Sequence, residues 1–192
     1  MAGGYGSNAL VFLIQTVFSL YLIAVMLRFL LQLTRADFYN PVSQFLVKVT
    51  NPPLIPLRRI IPGMLGIDVA AVVLLIAIQM LDLFLVFIVQ GITLAPLGLL
   101  VLTIAELLNL VLNVFLFTIL IQVVLSWINP GNYNPTVALL YSLNEPLLGR
   151  ARRLMPPIHG FDLSPIIVLV IIQLLKLLLI APIADVGKAL AV

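Results

Sequence analysis

The sequence predicts an all-α membrane protein of four transmembrane helices, built as two parallel tandem repeats with short amphipathic interfacial helices in the cytoplasmic loops. Three observations carry this expectation: apolar runs long enough to cross a bilayer, basic residues gathered into two islands between them, and a set of polar and breaker residues that recurs 94 positions later. Of 192 residues, 63% are hydrophobic and 9% charged, against roughly 45–50% and about 25% in soluble domains. A soluble globular fold is excluded.

A span needs about 20 mostly apolar residues, and the stretches at about 9–33, 69–90, 105–128 and 164–184 meet that length. The first 27 residues hold no Lys or Arg, so the charged start of a cleavable signal peptide is missing and the first run is expected to remain as a span. Residues 91–104 are also apolar, but Gly91, Pro96 and Gly98 interrupt them. Being too short to cross, this segment is expected to be a re-entrant or interfacial connector.

The two polar islands, 34–67 and 129–161, expose the repeat. Adding 94 takes Asn40-Pro41 to Asn134-Pro135, Arg58-Arg59 to Arg152-Arg153, Asp68 to Asp162 and Gln79 to Gln173. Asn51 and Pro53 match Asn144 and Pro146 at 93 instead, which implies one extra residue in the second copy. The expected organisation is a first repeat at 1–90, the connector at 91–104 and a second repeat at 105–192. Two crossings per copy return the chain to its starting side, so the copies are parallel and related by a pseudo-twofold along the membrane normal. The islands hold Arg35, Lys48, Arg58, Arg59, Arg150, Arg152 and Arg153, while the termini and connector hold only Lys188. By the positive-inside rule both islands are cytoplasmic and both termini periplasmic.

Within each island, Asn before Pro is an N-cap followed by a proline suited to the first helical position. Val42, Phe45, Leu46 and Val49, and the corresponding Leu139, Leu140 and Leu143, then give an apolar stripe expected to face the acyl chains. A separate proline-started turn follows and carries the arginines. Arg58, Arg59, Arg150, Arg152 and Arg153 are the candidate lipid-binding or partner-binding residues: they either fix topology against anionic headgroups or form a docking surface for a protein. Asp68 and Asp162 precede the second and fourth spans, where a carboxylate caps a helix N-terminus.

Ionisable groups at bilayer depth are costly and informative. Arg28 stands near the end of the first span and is able to snorkel; its repeat equivalent is Gln122. Asp82 and Lys176 are repeat equivalents of opposite charge, and an ion pair between them across the pseudo-twofold is expected, acting as a clamp or as part of an ion route. Glu106, Asn109 and Asn113 share one face of the third span, where they either line a polar cavity or bond a neighbouring helix. The chain has no cysteine and one histidine, His159, in a loop without a second ligand at metal spacing. No catalytic arrangement emerges, so neither an enzyme nor a cofactor is expected, and the dispersed charge does not suit nucleic acid.

The island motifs Asp37-Phe38-Tyr39-Asn40-Pro41 with Pro53, Arg58-Arg59 and Pro62, and Leu125-Ser126-Trp127 with Pro146, Arg152-Arg153, Pro156 and Gly160-Phe161-Asp162, resemble the YggT (YlmG) family over nearly the whole chain. The resemblance implies a small bacterial inner-membrane protein of two repeats, with plastid relatives and no established catalytic residues. It also implies roles in osmotic-stress tolerance with ion uptake, or in membrane organisation and cytochrome assembly. The family's arginine before the second Leu-Ser-Trp stretch is Gln122 here, whereas Arg28 keeps it in the first copy. The function expected is a non-enzymatic membrane assembly or organising factor, linked to stress tolerance, that self-associates and meets anionic headgroups and a membrane-protein partner. The alternative is a small oligomeric ion channel or transporter acting in osmotic stress.

Overall fold

The computed structural model describes residues 4–64, 66–93, 95–128, 134–155 and 162–191, and the architecture is all-helical. Four long apolar helices are able to span a membrane: α1 (Tyr5–Leu33), α3 (Val69–Gln90), α4 (Pro96–Ile128) and a rod over Ser164–Ala191. The rod consists of α6 (Ser164–Leu175), a π-helical stretch (Lys176–Ile180) and α7 (Ala181–Ala191). Two further helices, α2 (Pro41–Ile60) and α5 (Pro135–Leu154), connect α1 to α3 and α4 to α6. His159, Pro156 and the Gly160-Phe161 pair lie outside the described residues.

Several sequence expectations change here. Residues 96–104 are no separate connector: α4 is one continuous helix of 33 residues, joined to α3 through Gly91–Ala95. Pro96 breaks nothing because it is the first helical residue, where its missing N–H costs nothing. Gly98 lies where α4 meets the end of α7, and a Cβ there would run into the Ala191 backbone. Ala95 N–H also donates to the Ala191 carbonyl at 3.3 Å. The true break is Gly91, which ends α3 at φ 69°, a left-handed conformation that glycine adopts without penalty.

The islands also differ from the reading of a short helix followed by a separate turn. Helix α2 runs unbroken through Pro52, Pro53 and Pro56, and α5 through Pro146. An interior proline removes a backbone hydrogen bond and costs about 3 kcal/mol in an isolated helix, so packing has to hold these helices together. Ser43, Leu46, Thr50 and Leu54 supply it, forming one buried stripe against the bundle. Of the stripe expected to face the acyl chains, Val42 and Phe45 are exposed, whereas Leu46, Leu139 and Leu143 are buried against the bundle. Both helices have 20 residues, each starts at a proline capped by the preceding asparagine, and their bounds differ by 94 at both ends, which leaves no extra residue in the second.

The larger core joins Leu22, Val25 and Leu30 of α1 to Leu54 of α2, Leu74 and Leu75 of α3, and Leu143 of α5. A smaller one joins Ile119 of α4, Leu148 and Ala151 of α5, and Val168 and Ile172 of α6. The side chain of Asn40 ties the islands together: its oxygen accepts from Val42 N–H at 3.0 Å while its amide donates to the Pro135 carbonyl at 2.6 Å.

Candidate functional site

Helices α1, α3 and α4 pack so that their few polar residues meet. Gln15 and Ser19 from α1, Gln79 and Asp82 from α3, and Glu106, Asn109 and Asn113 from α4 line one cavity of about 240 Å³. The face predicted on α4 thus lines a cavity, and through Asn113 it also bonds a neighbouring helix, accepting from Lys176. Asp82 is 5% exposed; one carboxylate oxygen accepts from Gln79 Nε2 at 3.5 Å and the other has no hydrogen-bond partner. Gln15, Ser19 and Glu106 are exposed at the surface of the single chain.

The expected ion pair between Asp82 and Lys176 does not form. Among the described residues the Lys176 ammonium is hydrogen-bonded to the Asn113 side-chain oxygen, and no salt bridge reaches Asp82. Equivalent positions in a repeat meet only if they face the axis that relates the copies. Asp82 instead faces the α1 and α4 side of α3, while Lys176 opens the π-helical stretch and faces α4. π-helical turns are rare and often stand at functional sites.

Arg28 does not snorkel. Arg28 is 5% exposed, and its Nη1 donates to Thr50 Oγ1 at 2.6 Å and to the Val47 carbonyl at 3.4 Å. Gln122 and Asn144 occupy the corresponding places of the second half. Asn144 is fully buried, donates to Gln122 Oε1 at 2.8 Å and accepts from Thr118 Oγ1 at 2.8 Å. The partner of Arg28 is therefore Thr50, and Asn144 corresponds to Thr50, not Asn51, which keeps the spacing of 94 throughout.

The five candidate arginines divide into two groups. Arg58 forms a salt bridge with Asp68, and Arg152 forms one with Asp162 at 3.0 Å and with Glu145 at 3.0 Å. Each aspartate also receives a backbone N–H at the start of the following span, Ala71 at 3.3 Å and Ser164 at 2.9 Å. The capping role expected of Asp68 holds, whereas the N-cap of α6 is Leu163 and Asp162, one residue earlier, accepts only the first helical N–H; the clamp to arginine is added in both copies. Burial alone would push the Asp162 carboxyl up, but hydrogen bonds from Ser164 and Arg152 outweigh it and hold the group below its usual range. Burial likewise opposes the charge of Arg152, and its bonds to Asp162 and Glu145 raise it further above neutrality. Arg59, Arg150 and Arg153 remain exposed, as do Arg35 and Lys48.

Sequence reasoning missed Gln15, Ser19, Thr50, Thr118 and Asn144. The signal was available for the first two, a polar pair one helical turn apart in an otherwise apolar run. Thr118 and Asn144 gave no such signal, because a threonine or asparagine beside an interface is equally consistent with exposure.

The chain is similar to an uncharacterized protein of Pseudomonas aeruginosa, 46% identical over 91% of this chain and 89% of the relative. An uncharacterized protein of Haemophilus influenzae is 40% identical over 85% and 87%, and the uncharacterized protein YggT of Escherichia coli K12 is 36% identical over 88% of each chain. No solved structure matches. A family profile described as CCB3/YggT matches residues 7–89 and again residues 101–183, two segments that start and end 94 positions apart. The chain belongs to the CCB3/YggT family.

Proposed function

We propose that this protein is a non-enzymatic organising factor of the bacterial inner membrane that self-associates. It is read as two parallel tandem repeats, with α2 and α5 at the cytoplasmic interface and both termini periplasmic. The double match of one family profile and the equal bounds of α2 and α5 support the repeats, and the exposed cations at the islands support the orientation. Arg59, Arg150 and Arg153 face anionic headgroups, while Arg58 and Arg152 brace the elbows. One observation carries the self-association: Gln15, Ser19 and Glu106 are exposed on spans of the single chain. Polar groups at that depth are expensive against lipid, so a second copy or a membrane-protein partner covers them.

The absence of cysteine makes single-cysteine variants clean reporters. Gln15→Cys or Glu106→Cys should crosslink between copies in native membranes, whereas cysteines on the opposite face of α1 should not. Equal crosslinking from both faces would remove the support for a specific interface. A second reading, an oligomeric ion conductor for potassium or another solute in osmotic stress, is favoured by the unpartnered Asp82 oxygen in the polar cavity. Reconstituted vesicles separate the two: flux abolished by Asp82→Asn or Glu106→Gln supports conduction, and silent vesicles support the organising role.

A further inference from the structure

The second half of the chain carries an amphiphilic cavity of about 660 Å³ between the end of α4, α5 and the start of α6. Its polar rim includes Gln122, Ser126, Tyr141, Arg152 and the Asp162 carboxylate that Arg152 holds, and its apolar wall includes Val123, Ile166 and Leu169. The first half divides the corresponding region. Beside Arg28 and Val47 the space is about 10 Å³, and a separate notch of about 340 Å³ is lined by Gln32 and Arg58 at the helix ends and by Gly63, Gly66, Ile67 and Asp68, with no apolar wall from a long helix.

Side-chain size explains the difference. Along one face of the helix, Arg28, Phe29 and Gln32 of α1 become Gln122, Val123 and Ser126 of α4, each smaller than its counterpart. The long Arg28 side chain reaches Thr50, whereas Gln122 stops at Asn144. Gln32 accepts from Arg58 Nη2 at 3.4 Å, whereas the Ser126 hydroxyl turns back to the Val123 carbonyl at 2.7 Å. Arg152 uses Nε for Asp162 and Nη1 for Glu145. Among the described residues its Nη2 edge has no acceptor, although Arg152 lines the cavity.

The opening lies on the outer surface of the helices. Trp127 is 80% exposed and Ile166 60%, and in a bilayer such residues meet lipid. The volume falls in the range of ordinary ligand sites, about 300–1,000 Å³. Among the described residues the Nη2 edge of Arg152 is open to a phosphate oxygen beside the Glu145 and Asp162 carboxylates on its other nitrogens, with the hydroxyl of Tyr141 and the indole N–H of Trp127 as further donors on the same site. We propose that this cavity holds one phospholipid of the surrounding bilayer, its phosphodiester on Arg152 and one acyl chain along Val123, Ile166 and Leu169. The site depends on membrane insertion, not on whether the protein organises or conducts.

Native mass spectrometry of the full chain released from phosphatidylglycerol nanodiscs tests it. One phospholipid should stay bound per chain. The variant V123F/S126Q, which rebuilds the wall of the first half and keeps residues already accommodated there, should lose occupancy about tenfold. Arg152→Lys should weaken retention while leaving a cation for Asp162. Because Trp127 is the only tryptophan, its quenching by brominated phosphatidylglycerol gives a second measure, and brominated diacylglycerol should quench less. Retention unchanged in V123F/S126Q, equal quenching by diacylglycerol, or reversal of the signal by inorganic phosphate alone would each overturn the proposal. Thermal unfolding of each variant distinguishes a lost site from a lost fold.

Discussion

Lys176 is hydrogen-bonded to Asn113 across the contact between the fourth span and α4, and Asp82 lies on another side of the bundle. The charge exchange of Asp82→Lys with Lys176→Asp should therefore be as damaged as the single changes. Asn113→Leu should leave the ammonium without its partner and cost about 1–3 kcal/mol. Thermal unfolding in detergent micelles reads both, and rescue by the double exchange would reinstate a direct pair.

Asn144 bridges Thr118 and Gln122 in a fully buried position. Asn144→Leu strands two polar side chains and should lower stability by about 1–3 kcal/mol for each group left unpaired. The two halves also predict an exchange: Arg28→Gln with Thr50→Asn copies the Gln122–Asn144 contact into the first half, where Ala24 stands in place of Thr118. It should be tolerated better than Arg28→Gln alone, as compared by unfolding midpoints.

The clamp at Asp162 makes stability dependent on acid pH. Its carboxyl titrates below the ordinary unfolded value of about 3.9, so its stabilising contribution is complete above that value and disappears as the pH falls through the lower folded one. Asp162→Asn should remove this acid-side loss while reducing stability at neutral pH. Unfolding temperatures measured from pH 2.5 to pH 7 check the sign.

Where α4 and α7 meet, backbones are in contact. Gly98→Val should force the Ala191 backbone away and cost about 1–3 kcal/mol through overpacking. Gly187 faces Leu102 in the same contact, with 2.9 Å from an added Cβ to the nearest leucine atom. The nearest backbone atom to that Cβ is the Leu102 nitrogen at 3.1 Å, against 2.4 Å to the Ala191 backbone at Gly98, so Gly187→Ala should be milder. Crosslinking between cysteines placed at positions 95 and 190 should fall in the first variant and persist in the second.

The legible parts of this molecule were those governed by local chemistry. Run length gave the four apolar helices, and Asn40, Asn134 and Asp68 announced their caps because an oxygen before a helix start satisfies free N–H groups. The shared face of Glu106, Asn109 and Asn113 followed from helical spacing. Partner choice was not legible, since spacing assigns a face without saying which helix it meets: Lys176 met Asn113, and Arg58 met Asp68. Prolines misled in both directions. Pro96 began a helix, and Pro52, Pro53 and Pro56 were carried inside one by contacts far away in the chain.

The π-helical stretch at Lys176–Ile180 fits one residue more than an ordinary turn would take. Everything downstream is thereby rotated by about 100° relative to an uninterrupted α-helix, and Gly187 and Ala191 reach α4 in that rotated phase. Shortening the stretch by a single amino acid would relax it to regular geometry and swing those two small residues away. The length of this segment acts as a phase setting for the last helix, independent of which side chains it carries.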